Sequence, residues 1–422
     1  MVSPHLDEVL PVNPGHTRLN DRYQVIRKLG TGVFSETWLV EDERREYVVG
    51  FSTDVLDLTI LRFGKYHAAK ILTLDATQRH GTGEMQELQF LRKIAEHSDD
   101  VENLPILEDD FIVHGPRGDH LCFIMIPLCS DVSSFRRSSP TKALPVYFVK
   151  NIISLVLEGL DYLHGLDIVH TGRRSCSVMC TQFWTFMLAD VKLDNLLFSG
   201  IGDKQVEERI GEPLAVEGEY EVDGITYPLC RPQPLPHGFT WKDSPHEAER
   251  ILVTLTDLGQ AQCAGQTPTV DEFSAPSLRA PELILRSSFG PKIDIWAVGC
   301  ITFELLTGHW LFNPVDGEPE WTIEDDHLAK MMELTGECFT PETLKYAQRR
   351  EEFFDDNGRL LRIDQLIPVS LEAALSNYKL LDPADVDSAA AFIRSCLCLD
   401  PFQRPTAREL MLSPWLRDAF YC

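Results

Sequence analysis

The apolar positions of Tyr23–Leu29 and of Glu36–Val40 make two short strand-like runs, with a glycine turn between them. Short runs bounded by glycine in this way predict strands joined as a hairpin. Tyr66–Leu72 has the same character, and Phe111–Val113 and Leu121–Met125 follow it. The run from Leu121 to Cys129 is the most apolar of the chain but far too short to span a bilayer, so it reads as a buried strand. Between these strands, Met85–Ala95 spaces Leu88, Leu91 and Ile94 along one face of a helix. Beyond Pro127 the period becomes helical, at Tyr147–His164, Ile293–Thr307 and Ala389–Cys398. The pattern therefore predicts an α+β chain with two lobes. One is small and β-rich with a single main helix, and the other is larger and helical. No internal repeat is visible.

Four segments fall outside this pattern. Residues 1–20 carry three prolines and predict a tail or clamp. Residues 46–64 stand between two strands that a short turn could join. Residues 172–189 separate Ile168-Val169-His170-Thr171 from Asp190. Residues 200–249 are rich in Pro, Gly and acids, and predict a long surface excursion or a partly disordered spacer. The expected divisions are a tail at 1–20, a small lobe with its connecting segment at 21–128 and a large lobe at 129–422.

Composition narrows the partners. The 422 residues are 44% hydrophobic and 25% charged, enough for a sizeable core. Sixty-five acidic against 39 basic residues give a formal charge of −26. Such a surface repels a nucleic-acid backbone and attracts basic peptides, so no direct nucleic-acid ligand is expected. The 11 cysteines are scattered and odd in number, and no secretory signal is visible. Reduced thiols in the cytoplasm or nucleus follow, with no membrane association and a monomeric chain. Cys396 and Cys398 lack a second ligand pair and read as core residues.

Several constellations carry phosphate chemistry. Gly30-Thr31-Gly32-Val33-Phe34-Ser35 lies between two strands, which suits a flap of backbone amides over nucleotide phosphates. Lys70 on the third strand can hold the α- and β-phosphates, and Glu87 on the following helix can aim it. In Asp190-Val191-Lys192-Leu193-Asp194-Asn195, the Asp can accept the proton of an attacking hydroxyl. Lys192 can neutralise the moving phosphoryl group, and Asn195 can hold a metal ion. Asp257, ending the apolar run Ile251–Thr256 and followed by Leu258-Gly259, is the second candidate Mg²⁺ ligand. Leu278-Arg279-Ala280-Pro281-Glu282, Asp294-Ile295-Trp296-Ala297-Val298-Gly299 and Asp400–Pro405 come next in order.

In this order the motifs resemble the eukaryotic protein kinases over roughly residues 21–418. Details resemble the SR-protein kinases of the CMGC group, in their fungal form. These are Gly-x-Gly-x-Phe-Ser-x-x-Trp at Gly30–Trp38, His170-Thr171, the long spacer, Arg279, and the stretch from Asp326 to Gly336. The resemblance implies a serine/threonine protein kinase that uses ATP and Mg²⁺. It implies Arg/Ser-rich or basic protein substrates and a link to mRNA processing. It further implies that Leu29, Thr37, Ala68 and Leu197 enclose the adenine beside Met125 and a hinge ending at Leu128, and that Glu282 pairs with Arg404. Gly30, Gly32, Ser35, Lys70 and Glu87 complete the nucleotide set. Asp190 and Lys192 are the catalytic pair, and Asn195 and Asp257 the metal pair. Thr171 in place of the usual Arg removes the receptor for a phosphorylated activation loop, so constitutive activity is expected.

The inserts depart from the resemblance. Removing residues 172–189 restores His170-Thr171-Asp190, and removing residues 46–64 restores a short strand connection. Translation of in-frame introns would produce both. As part of the protein, the second insert has two outcomes. It can bulge outward with its ends fixed. Otherwise Phe183, Trp184 and Phe186 enter the site and leave a nucleotide-binding pseudokinase or scaffold.

Overall fold

A computed structural model describes residues 6–44, 64–96, 103–166, 186–187, 191–263, 276–287, 290–317 and 319–417. His170, Thr171 and Asp190 lie outside them, as do the inserts except Gly64, Phe186 and Met187. The chain forms two compact units. One comprises Met1–Ser130 with Leu197–Gly238, and the other Asp131–Leu196 with Phe239–Cys422.

The first unit is built on an antiparallel sheet in the order β1-β2-β3-β4-β6-β5. Its strands are β1 (Arg18–Leu19), β2 (Tyr23–Thr31), β3 (Ser35–Asp42), β4 (Tyr66–Leu72), β5 (Leu107–Gly115) and β6 (Gly118–Met125). Directly opposed residues share a face, so the register separates the two sides. Trp38, Val40, Ala69, Ile71, Cys122 and Ile124 form one side, a core cluster closed by Leu10, Val12 and Cys230. Thr37 opposes Lys70, Leu39 opposes Ala68, and Ala68 opposes Met125, so these residues share the other side.

Two helices connect β4 to β5: α1 (Leu74–Thr82) and α2 (Glu87–Glu96). In α1 only Ala76 is buried, and the helix is held by its ends. Thr73 accepts from Ala76 N at the start, and Gly83, with φ 81°, closes it. α2 buries Glu87, Phe90, Leu91 and Ile94 on one face.

The spacer is not the excursion its composition suggests. Asp203–Ile210 is a helix, and Val216–Val222 pairs with Ile225–Cys230 as a hairpin. Asp223 and Gly224 turn the hairpin with φ of 51° and 77°, the conformation that an Asp-Gly two-residue turn favours. Val222, Cys230 and Leu235 are buried, and Tyr220 stacks on Tyr227 across the strands. A few apolar anchors on an existing sheet therefore fold a segment whose overall composition is polar.

The second unit is helical, with α3 (Val132–Ser138), α4 (Val146–Gly165), α5 (Lys292–Thr307), α6 (Ile323–Thr335) and α7 (Pro383–Cys396). Every residue of α5 from Ile293 to Thr307 is buried. Gly308 ends it at φ +79°, where a Cβ would lie 2.4 Å from the Thr141 carbonyl oxygen. Cys396 is buried and its thiol is pushed up by that burial, whereas Cys398 is only partly covered. Among the described residues, no helix is long and apolar enough to cross a membrane.

Candidate active site

The first unit contains the residues expected to enclose the base and to hold the α- and β-phosphates. β2 and β3 meet in the glycine turn, where Gly30 opposes Thr37 and the Gly32 N–H donates to the Ser35 carbonyl at 2.8 Å. A Cβ on Gly30 would meet nothing within 4 Å, and one on Gly32 only Ser35 atoms at 3.7 Å. The turn therefore leaves open space beside its backbone amides, as a phosphate cradle requires. Val33 at its tip is 69% exposed. The far arm is anchored, since the Phe34 carbonyl accepts from Thr73 N at 2.9 Å and the Arg79 guanidinium lies 5.6 Å from the Phe34 ring centre.

Lys70 Nζ lies 2.6 Å from Glu87 Oε1. Both side chains are nearly buried, and Glu87 stands in the first turn of α2, where the helix dipole favours a carboxylate. Charge-assisted contact in such surroundings fixes the ammonium in place. Thr37 opposes Lys70, while Ala68, two residues earlier on the same face, opposes Met125. Leu29 and Ala68 are buried, and Met125 and Leu128 half-buried. Leu197 precedes Phe198, whose carbonyl accepts from Cys129 N at 2.8 Å, so Leu197 runs alongside the segment following Leu128.

The second unit contains Lys192, Asn195 and Asp257. Leu193–Asn195 is a single tight helical turn. The Asn195 carbonyl accepts from Thr256 N at 2.8 Å and from Thr256 Oγ1 at 2.9 Å. Asn195 and Asp257 are thus one residue apart across a backbone junction. Asp257 itself adopts φ 62°, a left-handed conformation that Asp tolerates better than most residues and that turns the chain sharply after the strand Val253–Leu255. A carboxamide and a carboxylate are hard oxygen donors, which fit Mg²⁺.

Asp190 lies outside the described residues, but the strand that leads to it does not. Phe186–Met187 pairs with Gln262–Cys263. The first pair belongs to the segment 172–189 that the sequence analysis sets apart as an insert. Phe186 and Met187 stand four and three places before Asp190, the offsets that Ile168 and Val169 would have without the insert.

Two participants escaped the sequence reading. His164 Nε2 on α4 lies 2.9 Å from Asp294 Oδ2 on α5, joining two long helices. The other is Arg27 on β2, which is 1% exposed. The expected Glu282–Arg404 pair forms bidentately at 2.6 and 2.8 Å.

Known proteins share these features. The protein kinase domain family matches residues 244–416. The chain is 26% identical over 418 residues to the serine/threonine-protein kinase SRPK of Physarum polycephalum, spanning 97% of this chain and 88% of the relative. It is 25% identical over 470 residues to protein kinase dsk1 of Schizosaccharomyces pombe, spanning 97% and 83%. The chain is an SR-protein-kinase-like serine/threonine kinase. The crystal structure of a kinase domain, 20% identical, superposes with a TM-score of 0.62 over 98% of this kinase and 99% of that chain. The α+β protein-kinase fold expected from the sequence is therefore present. As a protein kinase it uses ATP.

Proposed function

We propose that this kinase transfers the ATP γ-phosphate to serine or threonine in Arg/Ser-rich or basic proteins. We place its action in mRNA processing, in the cytoplasm and nucleus. The observation that carries the reading is the Lys70–Glu87 pair at 2.6 Å, which serves to hold an ammonium ready for phosphate oxygens. Lys70 binds the α- and β-phosphates beneath the glycine turn that Gly30, Gly32 and Ser35 form. Leu29, Thr37, Ala68, Met125, Leu128 and Leu197 enclose the base. Asn195 and Asp257 hold Mg²⁺, which supplies charge neutralisation at the phosphates when bound. Asp190 accepts the proton of the substrate hydroxyl, and Lys192 steadies the γ-phosphoryl group.

Charge supports basic substrates. A surface with 26 excess negative charges attracts Arg-rich peptides at low ionic strength. The acidic stretches of the second unit divide into two kinds. Asp325 is fully buried and bound through both oxygens to Arg362 at 2.8 and 2.9 Å, so it builds the surface. Glu320 and Glu351 are exposed and suit docking of guanidinium groups. The test compares phosphorylation of an Arg/Ser-repeat peptide with that of an acidic Ser peptide at low and high salt. A clear preference for the basic peptide that weakens with salt is expected. Equal turnover of both at low salt would contradict the substrate assignment.

A further inference from the structure

We propose that Arg27 is a positioning residue that makes the folded spacer part of the foundation of the glycine flap. Spacer docking and nucleotide binding are then coupled. This rests on the reading of Gly30–Ser35 as the nucleotide flap.

Arg27 stands two residues before Leu29 and shares its face of β2. It opposes Leu39 in a fully covered position. Its Nη2 donates to the carbonyl oxygens of Ile210 at 3.3 Å and Glu212 at 2.7 Å. These carbonyls lie at the C-terminal end of the spacer helix Asp203–Ile210, where unpaired acceptors and the negative end of the helix dipole attract a cation. Among the described residues, Nε and Nη1 of Arg27 are buried with no hydrogen-bond partner. Burial, and after it the neighbouring Arg209, holds the guanidinium below its usual range. A cation this desolvated is costly for a strand to carry. Its hydrogen bonds run to the end of the spacer helix.

Lys28 extends the grip. Its carbonyl accepts from Gln233 N at 2.9 Å, from the other end of the spacer. Gln233 is itself fixed, with its side chain accepting from Ala215 N at 3.0 Å and donating to the Pro213 carbonyl at 3.1 Å. The location matters because the β2–β3 register shifts between Val25 and Arg27 and again between Lys28 and Gly30. Such irregularities interrupt a ladder and bend the strand. Arg27 and Lys28 therefore sit between two interruptions of the ladder, immediately before the flap, and the spacer adds a second hold on this short paired stretch. Because the opposite arm is tied through Phe34 to Thr73, the two anchors together set the angle at which the flap leaves the sheet.

Coupling is reciprocal, so nucleotide must tighten the spacer as the spacer tightens the flap. The test is hydrogen exchange of the full chain with and without Mg²⁺ and a non-hydrolysable ATP analogue. Slower exchange is expected both at residues 29–36 and at residues 207–215 and 231–235. Slowing of the flap alone would overturn the coupling while leaving the nucleotide reading intact. Slowing of neither would overturn the nucleotide reading, and the coupling with it. Arg27→Met provides a second arm. It is expected to raise the KM for ATP by about fivefold or more with little change in kcat. The melting temperature should change little, because a desolvated cation is lost together with the two hydrogen bonds that hold it. Arg27→Lys should recover part of the KM. An unchanged KM in folded Arg27→Met would overturn the proposal.

Discussion

Arg404 is fully buried and makes five contacts of different kinds around one guanidinium. Two bonds run to Glu282, two to the carbonyls of Lys292 and Cys398, and its face lies 5.0 Å from the Trp296 ring centre. Removing the carboxylate while keeping its shape leaves a desolvated charge with only neutral acceptors. Glu282→Gln is therefore expected to lower the stability of the second unit by about 3–5 kcal/mol, read from its denaturant midpoint. A loss below about 1 kcal/mol would place the pair among those contributing little. Residues of this kind were legible in the sequence, because each motif constrains one side chain tightly. Lys70, Glu87, Glu282 and Arg404 all fall where their motifs point. Arg27 was not legible, since in Tyr23–Leu29 it reads, beside Lys28, as an ordinary polar residue of a strand. Its burial depends on a helix about 180 residues downstream.

Short apolar strand-like runs were readable as elements, and Tyr66–Leu72 carries the expected bounds. The long helices were readable for the same reason, because each buries a continuous apolar face. Helix α1 was not, since Leu74–Thr82 buries only Ala76 and depends on its caps, Thr73 and Gly83. The spacer was hidden by composition, although Asp223-Gly224 between alternating runs is a hairpin signal that could have revealed it. The hairpin fills a hole in the first unit's core, because Cys230 packs with Leu10, Val12 and Trp38. Replacing residues 214–232 with a Gly/Ser linker of equal length is expected to expose that face. Hydrogen exchange should then rise across Tyr23–Asp42 and Tyr66–Leu72. Unchanged exchange there would mean that the sheet is stable without its cover.

For the whole molecule, the order of motifs along the chain was enough to predict an α+β kinase, and the comparisons agree. How the insert meets the catalytic loop was not legible. Nothing in the sequence pattern marks Phe186–Met187 as the residues that pair with Gln262–Cys263. Ala189 precedes Asp190 in the chain, at the place that Thr171 would take without the insert. Neither residue is an Arg, so the expectation of activity without loop phosphorylation is the same for both arrangements. The central claim is that Asp190 works as the base in this chain with its insert present. The most direct test is transfer of the γ-phosphate from ATP to an Arg/Ser-repeat peptide by the full 422-residue protein, beside Asp190→Ala. The account predicts turnover by the parent that falls at least about a hundredfold in Asp190→Ala, with nucleotide binding retained. Nucleotide binding without turnover in the parent, or turnover equal in both proteins, would contradict it.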